Sequence, residues 1–591
     1  PWYKEYPLVE DHFARVNTAL TRGKPVVRIG VIHPIESYWL HWGPAQQTSL
    51  IREQMEENFQ NLTEWLLFGS LDFDFICESL LPDLCPQGGA PLKVGEMAYD
   101  AVIVPACETL RATTLERLEA FRAQGGRLIF LGDAPRLLDA RESDLPAALC
   151  ARAEQRPFTR SAVLEALEEF REVELRGADG SYLNHMLYQL RQDNACRWLF
   201  LVQGKEPPLK DNARAEEVRV TLRGMYKITC YDTMTGEIYP LAAECGEGRT
   251  VLRRTFYNHD SLLLKLEPLA EDVLAVHAHP FSHRTEEKEC WKVPDLVPVT
   301  LEEPNVLLLD KAEYALDGGE YFPAEEILRA DNVLREQAGF PSRRKAVAQP
   351  WTIPDEPIVH TARLRFTIHS ETAVSGVSLA LEDAERARIR WNGREIPAEV
   401  TGFFTDKAIK TVALGTLMPG ENTLELELPF GKRTDLEWCY LLGDFGVRVS
   451  GERATVTAPV RALGFGDITA QGLPFYGGNV VYHLPVPAEG KLLIHLPHYR
   501  GALVGVSAEG RRLGSIAFAR YNLMCDAPAD GVLDLTLFGN RQNSFGAVHR
   551  RCEGNNWLGP DAWRTKGDEW SESYQLLPAG ILSAPVFRVQ K

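Results

Sequence analysis

The spacing of apolar residues divides the chain into an α/β part and a longer all-β part. Between residues 26 and 150, short apolar runs alternate with amphipathic stretches of helical period. The runs predict strands at 26–33, 71–81, 99–107 and 127–133, and the amphipathic stretches predict helices at 49–69 and 113–126. This alternation is typical of a parallel sheet covered by helices on both faces, and we expect 134–175 to continue mainly as helix.

From about residue 176, apolar and polar residues alternate singly, which is the period of a half-buried strand. Strands are predicted at 196–204, 217–224, 226–232, 250–257 and 261–268, and Gly, Pro, Asn and Asp turns separate them. These strands predict an antiparallel β-sandwich.

Another all-β stretch begins near residue 297 and contains one helix, predicted at 323–340. Its two halves share a weak internal repeat. Each half has a strand followed by a short hairpin, at 391–396 and 508–513, and later a leucine-rich strand. A scheme repeated in this way predicts two β-sandwich modules of jelly-roll type, so the fold class is multidomain α/β plus all-β.

Length and charge exclude several classes of function. The chain has 591 residues, with 64 Lys and Arg against 82 Asp and Glu, so its formal net charge is −18. Recognition of phosphate needs clustered Lys and Arg, so we expect neither nucleic acid nor membrane as a partner. No run of about 18 apolar residues occurs, so no transmembrane helix is predicted.

The 11 cysteines are odd in number, scattered, and without a CxxC pair. Zinc sites need four ligands at short spacings, and the sequence lacks such spacings. We therefore expect free, mostly buried thiols in a reducing compartment, which favours the cytoplasm. Because the sequence starts at Pro1, we expect a piece of a longer chain, so a periplasmic or secreted location stays open.

None of the short motifs that specify a reaction occurs in the sequence: GxGxxG after a strand, GxxxxGK[ST], HExxH and GxSxG are all missing. Cys107 ends an apolar strand at the edge where doubly wound sheets bind ligands. It is therefore a minority candidate for a nucleophile like that of a glutamine amidotransferase. No activating histidine lies in a recognisable place, so the favoured interpretation is a small residue that closes a strand.

The densest group of chemically competent side chains directly follows the first predicted strand. It contains His33, Glu36, Trp39, His41 and Trp42. Aromatic faces stack on sugar rings and carboxylates accept hydrogen bonds from sugar hydroxyls, so these residues are candidates for substrate binding. The alternative is a loop packed against a preceding domain, and both interpretations stay open. Cleavage of a glycosidic bond needs paired carboxylates, which one glutamate does not supply.

A second aromatic and polar segment lies near the C-terminus. Trp557, Trp563 and Trp570 stand among amides and carboxylates such as Asp568, which makes them candidates for a saccharide platform. The alternative is that the rings bury a long loop against the sandwich. That alternative is favoured, because aromatic residues commonly form satellite clusters outside the main core.

Several stretches resemble parts of known enzymes. VIHPIESYWLHWGP, YDAVIVPACETL and GGRLIFLGD resemble the amidotransferase-like domain that follows the catalytic barrel in glycoside hydrolase family 42 β-galactosidases. LDKAEYALDGGEY, PAEEILRADNVLR and the ending WLGPDAWRTKGDEWSESYQLLPAGILSAP resemble galactose-binding-like modules of the family 2 sugar-binding kind. Gut-bacterial proteins similar to family 106 α-L-rhamnosidases combine both kinds of domain.

The resemblance implies five segments, each with its own fold. They are a helix and linker from a preceding barrel at 1–25, an amidotransferase-like α/β domain at 26–175, an antiparallel β-sandwich at 176–296, a galactose-binding-like jelly roll with a helical insert at 297–455, and a second such jelly roll at 456–591. In that group the catalytic carboxylates lie on an N-terminal (β/α)₈ barrel, which has no counterpart here. No catalytic residue is carried over, and the segment from His33 to Trp42 is at most part of the rim of a barrel site.

Two functions stay open. The chain is the accessory region of a glycoside hydrolase acting on a plant or host glycan, or it is a stand-alone carbohydrate-binding or assembly module. Its expected partners are an oligosaccharide or glycoside and the barrel of the same polypeptide, and a homo-oligomer stays open. The isolated chain is expected to be inactive and to need no cofactor. Jelly rolls of this type sometimes hold a structural Ca²⁺, but Asp310, Asp317 and Asp444 are too scattered to define a site.

Overall fold

The computed structural model describes residues 2–206, 215–269, 290–342, 352–354, 356–496, 498–518, 520–551 and 567–590. The chain divides into two compact units, which we call the N-terminal unit (Glu5–Thr285) and the C-terminal unit (Pro1–Lys4 with Glu286–Lys591). The mixture of α/β and all-β structure confirms the predicted fold class at this coarse level. Within the described ranges, no helix is long and apolar enough to cross a membrane.

The N-terminal unit contains a parallel sheet flanked by helices. The helices are α1 (Pro7–Leu20), α2 (Ile35–Leu40), α3 (Ala45–Leu67), α4 (Leu81–Leu84), α5 (Ala112–Ala123), α6 (Leu145–Cys150) and α7 (Arg160–Ala166). The strands are β1 (Ile29–Ile32), β2 (Phe73–Ile76), β3 (Ala101–Val104), β4 (Arg127–Leu131) and β5 (Glu154–Arg156). All are parallel, in the spatial order β2-β1-β3-β4-β5, so the order reverses between β1 and β3 as in doubly wound folds.

Both faces of this sheet are buried, which explains the continuous apolar runs in the sequence. Successive residues of β3 point to opposite faces. Val102 packs in one cluster with Leu118 of α5, and Ile103 packs in another with Leu66 of α3. Two separate helix layers therefore hold the strands in place.

Two sequence predictions in this unit need correction. The stretch 134–175 is not mainly helical, because it contains the parallel strand β5 between α6 and α7. The short, polar sequence Glu-Gln-Arg of this edge strand carries no strand pattern. The segment after β1 was predicted as a loop but contains α2. Shorter strands lie at Leu92–Val94, Met97–Tyr99, Thr109–Leu110, Leu137–Leu138 and Arg141–Glu142, and 3₁₀ turns at Glu78–Leu80 and Glu168–Phe170.

Two antiparallel sheets complete the N-terminal unit as a β-sandwich. In spatial order, the first contains Lys24–Pro25, Met186–Asp193, Cys196–Gln203, Ser261–Pro268, Tyr226–Tyr231 and Ile238–Leu241. The second contains Val173–Gly177, Ala215–Arg223, Arg249–Tyr257 and Glu244–Gly246. Leu199 and Leu264 of the first sheet share a core with Val220 of the second.

The C-terminal unit contains two further sandwiches. One sheet of the first has Asn305–Leu309, Cys439–Gly443, Val374–Glu382, Asp406–Leu417 and Val400–Phe404. The other has Phe322–Glu326, Lys311–Leu316, His360–Ser370, Gly420–Phe430, Arg388–Trp391 and Arg394–Ile396, with Gly446–Ser450 and Arg453–Thr457 attached. Helix α8 (Ile327–Gln337) contributes Ile327 and Leu334 to the core between these sheets.

The second sandwich of this unit also pairs two sheets over one core. One sheet has Ala462–Gly464, Leu296–Leu301, Val480–Pro485, Val532–Leu537, Val504–Ala508 and Arg511–Ile516. The other has Cys290–Trp291, Val586–Gln590, Lys491–His495 and Asn522–Asp526. The remaining elements are the strand pair Tyr499–Arg500 and Gly580–Ile581, the helix α9 (Gln542–Phe545), and 3₁₀ turns at Tyr3–Glu5, Ala384–Arg386, Ile468–Gln471 and Gly567–Glu569.

Candidate functional site

The segment from His33 to Trp42, predicted as a substrate-binding site, lies at the carboxyl edge of the parallel sheet, directly after β1. His33 follows the strand, and its backbone N–H donates to the carbonyl oxygen of Ile76 at the end of β2. Glu36 and Trp39 lie on α2, and His41 caps its C-terminus. The order of the strands reverses at this edge, which is where doubly wound sheets bind their ligands.

A cavity of about 290 Å³ opens at this edge. Val31, His33 and Phe75 line the cavity from the sheet, and Phe59 and Leu62 line it from α3. Of the predicted site residues, His33 alone is among the lining residues. Within the predicted group between His33 and Trp42, only His33 therefore lines the cavity.

The carboxylate of Glu36 is already paired. Arg111 donates its Nε hydrogen to Glu36 Oε1 at 2.7 Å, and its backbone N–H donates to Glu78 Oε2 at 2.8 Å. Glu78 is buried, and this burial raises its pKa to about 7. Arg111 thus connects the carboxylate of Glu36 to the buried carboxyl group of Glu78, whose pKa is near 7.

His41 belongs to a second polar cluster beside the first. Its Nε2 lies 2.7 Å from Glu108 Oε1, and Arg136 donates to Glu108 Oε2 at 3.2 Å. Burial acts to raise the pKa of Glu108, but the hydrogen bonds from His41 and Arg136 together hold that pKa below its usual value. The hydroxyl oxygen of buried Ser37 accepts the backbone N–H groups of Glu108 and Thr109, which fixes this segment against α2.

Trp39 and Trp42 project outward from this network. Trp39 is 59% exposed and Trp42 is 73% exposed. The guanidinium of Arg52 lies 5.2 Å from the ring centroid of Trp42, and the ring of Tyr38 lies 6.4 Å away. Trp39 on α2 and Trp42 just after it are therefore two exposed indoles three residues apart in the chain.

Cys107 does not have the surroundings of a nucleophile. It is 9% exposed, and burial, reinforced by the nearby Glu78, raises the pKa of its thiol well above the usual value. A nucleophilic thiolate needs the opposite shift. Among the ten cysteines in the described ranges, all free, five are buried, four are partly buried and one is exposed, so burial is less general than expected.

Of the four candidate residues near the C-terminus, the structure describes two, Asp568 and Trp570. Trp557 and Trp563 lie outside the described residues. Asp568 is exposed in the 3₁₀ turn Gly567–Glu569. Trp570 donates its Nε1 hydrogen to Glu572, and its ring lies 4.9 Å from the ring of His549. These contacts favour the interpretation that Trp570 helps to bury a loop.

Each of the three aspartates considered as calcium ligands is hydrogen-bonded to other side chains. Asp310 accepts hydrogen bonds inside the core, Asp317 pairs with His360 at 2.9 Å, and Asp444 pairs with Arg461. Over the part of the chain that the structure describes, no group of three or more His, Cys, Asp or Glu could hold a metal ion.

A polar cleft of about 830 Å³ lies beside α1, and none of the predicted site residues lines it. Arg22 donates to Asp193 at 2.6 Å, and Trp198 donates its Nε1 hydrogen to the same carboxylate at 3.2 Å. The ring of Tyr231 lies edge-on to Trp198 at 5.0 Å, and Lys265 lines the same cleft. Arg22 follows α1, and the other four residues come from four strands of the first antiparallel sheet. The sequence signal of those four is the alternation that marks a strand face.

No family model matches the chain, and no curated protein matches it. Several solved structures are similar to it. A rhamnosidase from Novosphingobium sp. PP1Y is 15% identical with a TM-score of 0.35, over 73% of this chain and 37% of that one. An α-L-fucosidase isoenzyme 2 from Paenibacillus thiaminolyticus is 10% identical with a TM-score of 0.27, over 42% of this chain and 49% of that one.

A β-galactosidase from Bacillus circulans sp. alkalophilus is 12% identical with a TM-score of 0.28, over 43% of this chain and 43% of that one. The chain thus spans less than half the length of each of these three enzymes. All three are glycoside hydrolases, and their identities and TM-scores are too low for an activity to be carried over.

Proposed function

We propose that the chain is a glycan-binding accessory region of a glycoside hydrolase and that Trp39 and Trp42 contact the sugar. The observation that carries this proposal is the exposure of the two indoles, 59% and 73%, since tryptophan is normally largely buried. An exposed indole offers a flat apolar face to the C–H bonds of a sugar ring. Glu36 lies on α2 with Trp39, and Glu108 contacts His41, the residue before Trp42; both carboxylates can accept hydrogen bonds from sugar hydroxyls.

The paired state of these carboxylates favours binding over catalysis. A glycosidase needs one carboxyl group that donates a proton and a second carboxylate that acts as nucleophile or base. Glu36 is paired with Arg111, and Glu108 is paired with His41 and Arg136. The hydrogen bonds from His41 and Arg136 lower the pKa of Glu108, so Glu108 is unsuited to donate a proton.

The wider proposal follows the resemblance in the sequence. The parallel sheet is an amidotransferase-like domain, and the two sandwiches of the C-terminal unit are galactose-binding-like modules. The catalytic carboxylates then lie on an N-terminal (β/α)₈ barrel of the same polypeptide, acting on a plant or host glycan. The alternative is a stand-alone carbohydrate-binding or assembly module with the same sugar-contacting surface.

A glycan array followed by calorimetric titration tests the binding surface. We expect the chain to bind at least one oligosaccharide, and we expect Trp39→Ala and Trp42→Ala each to weaken that binding about tenfold, or about 1.4 kcal/mol, since each variant removes an apolar face on which a sugar ring packs. Both indoles are exposed, so the variants should keep the stability of the parent chain.

Phe13→Ala is the matched control, because Phe13 is an exposed aromatic residue of α1 with 62% exposure. It should leave glycan affinity unchanged. The proposal fails if no glycan binds at millimolar concentration, or if the tryptophan variants bind as tightly as the parent chain. In the second case the polar cleft lined by Trp198 and Tyr231 becomes the preferred sugar site.

A further inference from the structure

The cavity at the sheet edge differs chemically from the aromatic surface beside it. Its lining is mostly aliphatic and aromatic, with Val31, Leu62, Pro105 and Phe158 among the apolar contributors. None of the described residues that line it is a lysine or an arginine. The cavity therefore suits a neutral apolar ligand better than a phosphate or another anion.

Three rings shape the interior. Phe59 and Phe75 stack with their centroids 5.0 Å apart and an interplanar angle of 27°. The imidazole of His33 is tilted against both, at 5.3 Å from Phe59 and 5.6 Å from Phe75. Aromatic rings prefer such offset and tilted contacts, so a further flat ring fits beside them.

His33 is the residue of the lining whose side chain is available to form a hydrogen bond with a ligand. Its ring makes no hydrogen bond to any residue that the structure describes, although its backbone N–H is bonded. Burial lowers the pKa of His33, so the imidazole is neutral at physiological pH. A neutral imidazole offers one N–H donor and one nitrogen acceptor, and it can therefore bind one hydroxyl group in either direction.

A sugar fits this cavity poorly. Each ring of a saccharide carries several hydroxyl groups, and each hydroxyl buried without a partner costs about 1–3 kcal/mol. Beyond His33, the polar side chains of the lining are those of Ser37, Tyr38, Glu56 and Asn58. These already make hydrogen bonds within the protein: the Ser37 hydroxyl accepts two backbone N–H groups, Tyr38 donates to Glu56 at 2.6 Å, and Asn58 Oδ1 accepts from Gln54 at 3.2 Å. A ligand with a single hydroxyl buries one polar group, and a nitrogen of His33 can pair with it.

We propose that the cavity binds a small uncharged aromatic molecule with one hydroxyl group, a phenol, with its ring beside Phe59 and Phe75 and its hydroxyl on His33. The volume is sufficient, because a cavity of about 150 Å³ lined by apolar side chains holds benzene. The cavity has about 290 Å³, which leaves room for a substituent on the ring. The proposal is independent of the glycan-binding surface, and a Trp39→Ala, Trp42→Ala double variant should keep phenol binding.

Calorimetric titration of the intact chain with p-cresol, toluene and glucose tests the proposal. We expect p-cresol to bind more tightly than toluene, and glucose to give no heat. His33→Phe keeps a ring at this position but removes both nitrogens. In that variant, the affinity for p-cresol should fall about fivefold, to that for toluene, because one hydrogen bond is lost.

Ala106→Leu fills the cavity from the end of β3 and should abolish binding of both aromatic probes. Ala98→Leu is the matched control, since Ala98 is exposed and lies outside the lining, and it should change nothing. Circular dichroism and thermal unfolding report whether each variant folds, and His33→Phe decides the case if Ala106→Leu does not. The proposal is overturned if p-cresol fails to bind, if folded Ala106→Leu binds it unchanged, or if His33→Phe leaves the preference for p-cresol over toluene intact.

Discussion

At the scale of single residues, the clearest arrangement is a buried hydrogen-bonded group in the C-terminal unit. His549 Nδ1 lies 2.8 Å from the carbonyl oxygen of Ser571, which can only accept, so this nitrogen donates. His549 Nε2 lies 2.6 Å from Asp310 Oδ2, and the hydroxyl of Tyr574 donates to Asp310 Oδ1 at 2.7 Å. Asp310 and His549 are each only 2–3% exposed, so the group joins distant parts of the chain within the core.

We expect His549→Ala to lower the free energy of unfolding by about 3–5 kcal/mol, because it removes a buried ring and leaves the buried Asp310 without one of its hydrogen-bond partners. Tyr574→Phe removes one hydrogen bond and should cost about 1–3 kcal/mol. His483→Ala is the control, since the His483–Asp534 pair is just as short, at 2.7 Å, but about one third exposed; it should cost less than about 1 kcal/mol. Chemical denaturation measures all three, and equal costs for His549 and His483 would contradict the argument.

At the scale of elements, sequence and structure agree best where residues close together in the chain determine the conformation. The two hairpins of the internal repeat form as expected, because Asn392-Gly393 and Glu509-Gly510 both adopt positive φ angles. This backbone matches the right-handed twist of the flanking strands. The polar edge strand β5 had no such signal, and its pairing with β4 depends on the neighbouring strand.

Gly393→Ala tests the first hairpin. No atom lies within 4 Å of the position a Cβ would occupy, and the φ angle is +74°, so the cost is purely conformational. We expect a loss of about 1–2 kcal/mol in the free energy of unfolding. Gly318→Ala is the control, because it is equally open and has no left-handed backbone. That variant should be neutral or slightly stabilising, and an equal loss in both variants would exclude the left-handed φ as the cause.

At the scale of the whole molecule, the expected property is binding without turnover. At the sheet edge, the carboxylates of Glu36 and Glu108 are paired with basic side chains, and the thiol of Cys107 is buried. The chain should release no nitrophenol from aryl galactosides, rhamnosides or fucosides, and it should have no glutaminase activity.

Turnover of an aryl glycoside that disappears in Glu36→Gln or Glu108→Gln would place catalysis in this chain and overturn that expectation. Glutaminase activity that is lost in Cys107→Ala would instead support the hypothesis that Cys107 is a nucleophile like that of a glutamine amidotransferase. Turnover that appears only after an upstream barrel is joined to the chain would favour the accessory role over the stand-alone module.

The sequence by itself determined the apolar strands, the long helices, the turn glycines and the aromatic segment after β1, because each depends on residues close together in the chain. Tertiary structure alone decided which side chains meet. Phe59 of α3 and Phe75 of β2 enclose His33 across the edge of the sheet, whereas Trp39 and Trp42, a few residues further along, point outward. Periodicity records which face of an element is buried, and only the packing of one element on another decides what lies opposite that face.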